Sequence, residues 1–279
     1  MTVVGNLLII GLVSTSPHLH SPMYFFLGHL ATSDILVSAC IVPSLLNVTR
    51  RDGLIISLGP CIFQMFLFCV SETVECFILA VMSYDRYLAI RHPLRYMSIM
   101  NTRLQHHLIF WSWLLGIISS IILASQISML HYCEANIIDH FFCDTVALLE
   151  LSCSNSFAIK IQDLIVSVTV TLFPFAFIFL TYVGIFVTIL QSPTAKWRQK
   201  AFSTCTSHLL VVTVFFGSLL CVYGAPSSGY SANLNKSLSL IYTLITPLFN
   251  PIVYSLRSQE IRYAFRQQIR RFQVHRIFI

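Results

Sequence analysis

Apolar residues dominate seven blocks of the chain, and short polar stretches separate these blocks. The blocks cover residues 1–13, 22–46, 60–90, 108–129, 164–190, 202–222 and 238–256. All except the first have at least the roughly 17 to 25 residues that an α-helix needs to cross a bilayer. The pattern therefore predicts an all-α membrane protein, with residues 1–279 forming a single domain of seven transmembrane helices.

The first block is too short to span a membrane by itself. Its 13 residues rise about 1.5 Å each, so they cover roughly 20 Å of a hydrocarbon core about 30 Å thick. We expect either that the chain is cut at its start or that Met1 is not the natural initiator. A cleaved signal peptide is the other interpretation, although residues 1–13 lack a basic region and a small-residue cleavage site.

The composition and the placement of positive charge agree with a membrane protein. Hydrophobic residues make up 56% of the chain and charged residues 10%, whereas an average soluble domain has about 25% charged residues. Of the 17 lysines and arginines, 13 lie on the side that holds Arg86 and the C-terminus, and 4 lie on the other side. Because loops rich in these residues stay in the cytoplasm, we predict an extracellular N-terminus and a cytoplasmic C-terminus. The net charge of +6 then reflects topology rather than nucleic-acid binding.

Four of the nine cysteines fall on the predicted extracellular side, and the other five lie within apolar blocks. The four are Cys61, Cys133, Cys143 and Cys153. Disulfides persist in an oxidising compartment, and four cysteines allow three pairings. A metal site at His131, Cys133, His140 and Cys143 is the alternative, and the compartment favours disulfides over it.

The segment MSYDRYLAIRHP, residues 82–93, places two opposite charges at the end of the third apolar block. Cys61 and Arg86 are 25 residues apart, or about 37 Å along a helix, so they lie at opposite membrane faces. Asp85 and Arg86 then lie at the cytoplasmic boundary, where neither charge crosses lipid. An interfacial anchor with snorkelling charges is the simplest interpretation of this pair.

Further motifs turn this segment into a family resemblance. MSYDRYLAIRHPLRY resembles the Asp-Arg-Tyr segment of rhodopsin-like G-protein-coupled receptors, in the form typical of odorant receptors. Other family signatures follow in order: GNLLI at Gly5, LHSPMYFFL at Leu19, HFFCD at His140, KAFSTCTSHLL at Lys200 and PLFNPIVYSLR at Pro247. Ser83, Leu88 and Arg91 depart from the Ala, Val and Cys that are usual in the segment, and the role of Arg91 is not explained.

The resemblance implies a set of functional residues. It pairs Cys61 with Cys143 and Cys133 with Cys153. The implied G-protein switch comprises Asp85, Arg86, Tyr87, Tyr182, Asn250, Pro251 and Tyr254. Arg86 is expected to be held at rest by Asp85 and released when the sixth helix swings outward. The basic segment 196–200 is expected to be a loop that either meets the G protein or only marks topology.

Acidic residues inside apolar helices form a second set, because intramembrane acids are costly. Asp34, Glu75 and Asn250, with Asn6 nearby, are expected to form a polar core that holds water or a sodium ion. Direct ligand contact is the alternative. Glu72 lies three residues before Glu75, where it either faces a polar or cationic odorant or is hydrogen-bonded within the bundle.

The resemblance also maps an apolar ligand pocket between helices. Its residues are Phe68, Cys69, Glu72, Thr73, Val166, Ser167, Val170, Thr171, Phe216, Leu219, Leu220 and Tyr223; helix packing is the alternative role for each. After the seventh helix, residues 259–272 place Ile261, Phe265, Ile269 and Phe272 on one face, which predicts an amphipathic helix on the inner leaflet. Asn47 and Asn235 begin N-glycosylation sequons.

These features predict an odorant receptor of the plasma membrane, expected in sensory cilia. A small odorant would bind within the bundle, and an olfactory stimulatory G protein would raise cyclic AMP. The alternatives are a non-olfactory rhodopsin-like receptor and a truncated receptor product without function. An amine receptor would usually carry an aspartate at Phe68. The broken helices of a transporter and the motifs of an intramembrane enzyme are not evident, so we expect no enzymatic activity and no cofactor beyond the sodium ion or water.

Overall fold

A computed structural model describes residues 1–51, 54–55, 57–133, 137–138, 141–191, 194–223 and 232–277. Its long helices are α1 (Thr2–Thr15), α2 (Pro22–Arg51), α3 (Leu58–Arg91), α5 (Thr102–Ser128), α7 (Phe157–Gln191), α8 (Ala195–Tyr223), α9 (Ala232–Arg257) and α10 (Gln259–Ile277). Between them lie a 3-10 turn at Pro17–Leu19, two short helices, α4 (Tyr96–Ile99) and α6 (Thr145–Glu150), and two strands, β1 (Leu54–Ile55) and β2 (Ile137–Ile138). The expected all-helical fold is confirmed.

Five helices are long and apolar enough to cross a membrane, judged by length and composition over the described residues. They are α2, α3, α5, α7 and α8, while α1 is a shorter apolar helix. These five spans correspond to the second to sixth apolar blocks. The second to sixth blocks therefore located these five candidate spans correctly.

Most helices extend beyond their apolar blocks. The prediction that residues 196–200 form a basic loop is wrong, because they lie in the first turns of α8 (Ala195–Tyr223). Helix α5 begins at Thr102, six residues before its block, because the side chain of Asn101 caps it by accepting from the Leu104 amide at 2.9 Å. Helical hydrogen bonding continues through polar residues, so an apolar block marks the bilayer crossing rather than the end of the helix.

Prolines mark the boundaries of some helices. Pro22 is the first residue of α2, where its missing N–H costs nothing. Helix α3 ends at Arg91, with His92 as its C-cap before Pro93, because a residue that precedes proline is disfavoured in the α conformation. Helix α3 therefore ends within the segment MSYDRYLAIRHP.

Helix α3 occupies the centre of the bundle and packs against α2, α5, α7 and α8. Its buried side chains include Val74, Ile78 and Leu79, which join Phe26 and Leu30 of α2 and Phe215 of α8 in the apolar core. Helix α5 approaches α3 closely at Gly116, where an added Cβ would lie 3.1 Å from the Val70 carbonyl oxygen. Residues on α3 are thus positioned to contact several helices at once.

The segment between α5 and α7 folds over the end of the bundle that holds Cys61. Strand β2 pairs antiparallel with β1, with Leu54 opposite Ile138. Disulfides join Cys61 to Cys143 and Cys133 to Cys153, with Cα–Cα distances of 5.3 and 5.9 Å. These are the pairings that the resemblance implies, and they occupy two of the thiolates of the alternative metal site. His140, another member of that site, lies outside the described residues.

Helix α10 lies against the start of the chain. The Tyr24 hydroxyl contacts Ser258 Oγ at 2.9 Å and donates to Glu260 Oε2 at 3.1 Å. Ile261 is buried, whereas Phe265 and Ile269 are exposed. The fourth residue of the predicted apolar face, Phe272, and the two sequon asparagines, Asn47 and Asn235, have side chains outside the described residues.

Candidate functional site

The motif at the end of α3 forms a closed ion pair. The Arg86 guanidinium donates from Nε to Asp85 Oδ2 at 3.0 Å, and its Nη2 contacts the same oxygen. The other carboxylate oxygen accepts from the Tyr96 hydroxyl at 2.7 Å. Asp85 is fully buried, so its charge is compensated by these contacts rather than by water.

Tyr96 comes from α4, which the sequence did not identify as functional. Burial raises the pKa of Tyr96, and the adjacent Asp85 carboxylate raises it further. The phenol therefore keeps its proton and acts as a donor to Asp85. The resting contact predicted between Arg86 and nearby groups thus has an additional member, whose only sequence signal is its place at the end of MSYDRYLAIRHPLRY.

A second contact joins α3, α7 and α8 through His208. Its Nε2 lies 3.1 Å from the Leu79 carbonyl oxygen, an acceptor, so Nε2 carries the proton. Its Nδ1 lies 2.8 Å from the Tyr182 hydroxyl, which therefore donates. His208 is fully buried, and its ring stacks on that of Tyr182. Sequence reasoning missed His208, although it lies within the quoted motif KAFSTCTSHLL.

Tyr182 and Tyr254 were expected to belong to the G-protein switch, on the helices of the fifth and seventh apolar blocks. Tyr182 is bonded to His208, but the Tyr254 hydroxyl is buried on α9 and has no hydrogen-bond partner among the described residues. Tyr87, the remaining tyrosine of the set, packs on Gly184 of α7. The hydroxyl groups of Tyr182 and Tyr254 therefore make no hydrogen bond with each other in this structure.

Asp34, Glu75 and Asn250 meet in the middle of the bundle. Asn250 Nδ2 lies 3.0 and 3.1 Å from the two Asp34 carboxylate oxygens and 3.2 Å from Glu75 Oε1. All three residues are buried. Asn6 lies beside this cluster without joining it, because its amide donates to the Pro247 carbonyl oxygen at 3.1 Å.

The oxygen atoms around this cluster suit a hard cation or water. Two carboxyl groups converge, and the Ser71 hydroxyl, one helical turn before Glu75, is buried with no partner among the described side chains. Oxygen ligands of this kind are those that hard cations prefer. Among the described residues no group of three or more His, Cys, Asp or Glu side chains has metal-binding geometry. The Asp34 and Glu75 carboxyl groups therefore suit water or a monovalent cation better than a transition metal.

The predicted pocket residues divide by exposure. Phe68, Thr73, Phe216 and Leu219 are buried, and Cys69, Glu72, Val170 and Thr171 are half-buried. Val166 and Ser167 are exposed on α7. Leu220 is 72% exposed and lies on the same side of α8 as exposed Thr213, and its place in the pocket stays a prediction. Tyr223 ends α8, and its side chain lies outside the described residues.

Aromatic contacts fill the space near the buried members of this set. The Phe68 ring lies 5.2 Å from that of Phe142, and the Phe216 ring lies 5.3 Å from that of Phe175. Two cavities lie away from this set. One of about 500 Å³ is bounded by the end of α1 and the starts of α2 and α5, and another of about 310 Å³ lies between α7 and α8.

Gln64 connects the disulfide end of α3 to α2. Its Oε1 accepts from the Cys143 amide at 2.9 Å, and its Nε2 donates to Ser44 Oγ at 2.7 Å. The Cys61–Cys143 bridge is therefore reinforced by polar contacts from the next turn of α3. Sequence reasoning did not single out Gln64, since a lone glutamine in an apolar block has no pattern that reveals its partners.

Comparisons with known proteins agree with this arrangement. The model of a family described as olfactory receptor matches residues 1–271. The chain is 41% identical to human "Olfactory receptor 11A1" over 265 residues, covering 95% of this chain and 84% of that protein. It is 43% identical to mouse "Olfactory receptor 5P55" over 269 residues, covering 96% and 87%. It is also 41% identical to gorilla "Olfactory receptor 1G1" over 275 residues, covering 99% and 88%.

Proposed function

The chain belongs to the olfactory receptor family, and we propose that it detects a small odorant within its helix bundle and activates a stimulatory heterotrimeric G protein. Members of this family are receptors and not enzymes. The contact that carries the proposal is the Asp85–Arg86 ion pair. Near it, His208 of α8 bonds to Tyr182 and to the Leu79 carbonyl oxygen, and we call these two bonds the histidine lock. If ligand binding breaks these contacts, Arg86 becomes free to contact the G protein.

The proposed topology has seven membrane spans, an extracellular N-terminus and a cytoplasmic C-terminus. The distribution of 13 lysines and arginines on one side against 4 on the other supports it. The two disulfides lie at the opposite end from Arg86, as an oxidising exterior requires. The exposed Phe265 and Ile269 of α10 support a helix lying on the inner leaflet. We place the receptor in the plasma membrane of sensory cilia.

The switch would operate through α8. Tyr182 and His208 hold α8 against α7, and the Leu79 carbonyl holds the same histidine against α3. Outward movement of α8 breaks both contacts and opens a cleft beside Arg86. A ligand shifts this equilibrium only by the difference in its affinity for the two states.

The proposed odorant site uses the predicted pocket residues, with Glu72 as its acidic member. Glu72 is half-buried, one turn before Glu75. A mostly apolar lining with one acid suits an apolar odorant that carries a hydrogen-bond donor. Water or a sodium ion at Asp34, Glu75 and Ser71 would link this site to α9 through Asn250.

A cyclic AMP reporter tests the proposal in cells that express the chain, its G protein and a panel of odorants. At least one odorant should raise cyclic AMP in a dose-dependent manner. Arg86→Ala should abolish the response at unchanged surface expression, whereas Arg103→Ala, which changes an exposed arginine of α5, should preserve it. A response that survives Arg86→Ala would contradict the proposed switch, and silence of the surface-expressed chain across the panel would count against the function.

Glu72→Gln and Tyr223→Phe test the pocket separately. Each removes one polar feature with little change in volume, so the receptor should still reach the surface. Both variants should shift the odorant concentration that gives half-maximal response. Unchanged dose-response curves in both variants would contradict the pocket assignment while leaving the switch intact.

A further inference from the structure

Beside Arg86, α3 and α7 meet along a line of three matched contacts, which we call the α3–α7 seam. The seam consists of Ser83, Tyr87 and Arg91 on α3 and of Thr181, Gly184 and Thr188 on α7. The resemblance assigned Tyr87 to the switch and no role to the other five. Ser83 and Arg91 are two of the three departures from the usual motif.

The buried end of the seam is a pair of hydroxyl groups. Thr181 Oγ1 lies 3.1 Å from Ser83 Oγ, and both residues are buried. Each hydroxyl also lies 2.7 Å from a carbonyl oxygen of its own helix, to which it can donate: Thr181 to that of Ile178 and Ser83 to that of Ala80. Because the hydrogen bond between α3 and α7 at this point joins these two buried hydroxyls, loss of either one removes the interhelical bond of the other.

The solvent-exposed end of the seam is a charge-assisted hydrogen bond. Arg91 Nη1 donates to Thr188 Oγ1 at 3.1 Å, while that hydroxyl donates to the Gly184 carbonyl oxygen at 2.8 Å. This end is exposed, so its bond is weaker than the buried one. Neither an alanine at position 83 nor a cysteine at position 91 could form the corresponding contact.

Between the two ends, the Tyr87 ring packs closely against Gly184. A Cβ added at Gly184 would lie 2.8 Å from Tyr87 Cε2 and 3.3 Å from its Cδ2. Real Cβ atoms do not approach a ring so closely, so the absence of a side chain permits the contact. The glycine therefore brings the two helices close enough for the hydroxyl pair to form.

The spacing of the seam residues suits two helices that run in the same direction. Ser83, Tyr87 and Arg91 are separated by four residues each, so they share one face of α3. Along the axis they span about 12 Å, and the seven residues from Thr181 to Thr188 span about 10.5 Å. The near match lets all three contacts form together, and together they define the rotation of α7 about its own axis.

That rotation determines the position of Tyr182. Tyr182 follows Thr181 directly and points about 100° around α7 from it, toward α8, where its hydroxyl lies 2.8 Å from His208 Nδ1. A rotation of α7 that opens the Ser83–Thr181 contact also carries Tyr182 away from His208. The seam and the histidine lock are therefore coupled through one helix.

We propose that the α3–α7 seam is a positioning element of the receptor switch: it holds α7 so that Tyr182 retains His208, and it thereby keeps α8 closed without ligand. This inference rests on the proposed G-protein coupling. Ser83, Thr181, Arg91 and Thr188 act through Tyr182 and do not contact the G protein in this role. The seam lowers basal activity, and its loss raises it.

Basal cyclic AMP per surface receptor is the measurement that tests the seam. Ser83→Ala and Thr181→Val each break the buried contact, and each should raise basal signalling about threefold, the factor that corresponds to about 0.6 kcal/mol for an interhelical hydrogen bond in a membrane. Arg91→Cys should give a smaller rise. The Ser83→Ala, Thr181→Val double variant should match either single variant, because both remove the same bond.

Two variants control for effects of threonine chemistry alone. Thr169→Val removes a hydroxyl of the same helix that lies on an exposed face and donates to the Ile165 carbonyl oxygen at 2.7 Å. Its basal signal should equal that of the parent. Thr181→Ser keeps the hydroxyl and should also retain the parent value. The Ala and Cys substitutions introduce the residues usual in the motif, so the variants should fold.

The outcomes separate the inference from the proposed function. If the odorant response persists but Ser83→Ala and Thr181→Val leave basal signalling unchanged or lower it, the seam does not position the switch. Basal effects that add in the double variant would likewise show that the two residues do not act through one contact. If the parent is silent both basally and with odorant, the proposed function fails, and the seam's role in switching fails with it.

Discussion

Replacing Asn250 by leucine should destabilise the receptor more than replacing any other buried asparagine of the described bundle. Asn250 is the shared donor to two carboxyl groups, at 3.0 and 3.1 Å to Asp34 and at 3.2 Å to Glu75. Leucine has a similar volume, so little cavity forms, but both carboxyl groups lose their donor. An interhelical hydrogen bond in a membrane contributes about 0.6 kcal/mol on average and at most about 1.7.

Two such bonds contribute about 1 to 3 kcal/mol together, and because both buried acids lose their donor we expect the upper part of that range, about 2 to 3 kcal/mol, for Asn250→Leu. At about 2 to 4 °C per kcal/mol for a chain of this size, the melting temperature should fall by about 5 to 10 °C. The assay is thermal unfolding of the purified receptor in lipid nanodiscs, followed by the fluorescence of its 3 tryptophans.

Asn6→Leu provides the matched control. Asn6 is also fully buried, but its amide donates only to backbone carbonyl oxygens, of Thr2 at 3.2 Å and of Pro247 at 3.1 Å. Its own Oδ1 has no partner among the described residues, so its removal also eliminates an unsatisfied acceptor. We expect a cost below about 1 kcal/mol, and therefore a smaller fall in melting temperature than for Asn250→Leu.

A third variant tests the cause of the destabilisation. Adding Glu75→Leu to Asn250→Leu removes one of the two uncompensated carboxyl groups, so part of the lost stability should return. Equal melting temperatures for Asn250→Leu and Asn6→Leu would refute the reasoning, because they would show that Asn250 does not bridge the two acids. A further loss on adding Glu75→Leu would contradict the assigned cause.

Three other predictions follow from single contacts. Mass spectrometry without reduction should recover the peptide of Cys61 joined to that of Cys143; a free Cys61 would contradict the pairing. Asn101→Ala removes the cap of α5 and should lower stability by about 1 kcal/mol, measured as a lower melting temperature, whereas Asn101→Asp should preserve it. Tyr96→Phe removes the donor to Asp85 and should raise basal cyclic AMP; a lower basal signal would show that Tyr96 does not hold the resting pair.

The apolar blocks predicted the helices well because bilayer-crossing segments are predominantly apolar over about 20 residues. The ends of the helices could not be predicted in the same way. Residues 195–200 are polar, yet they continue α8 because a helix satisfies its own backbone in water as well as in lipid. The cap at Asn101 was a readable signal for the start of α5, whereas residues 195–200 offer no comparable marker.

Some residues of the candidate site could also be predicted from the sequence, and others could not. Asp34 and Glu75 were identifiable because an acid in an apolar helix needs a compensating partner, and the structure brings both to Asn250. His208 and Gln64 were not identified, since a single neutral polar residue in an apolar block predicts a hydrogen bond without indicating the acceptor. Their partners depend on the rotation of neighbouring helices, which the spacing within one helix does not determine.

Arg91 shows why a family resemblance is least informative where the sequence departs from it. The role of a matching residue can be transferred because its partners match as well, but a departure has its effect through residues that the motif does not include. Arg91 gains Thr188, and Ser83 gains Thr181, two turns apart on a different helix. A cysteine at 91 or an alanine at 83 would leave those threonines with only their own helix to bond. Differences in resting activity between this chain and its relatives should therefore originate at such positions rather than at Asp85 and Arg86, which match the family motif.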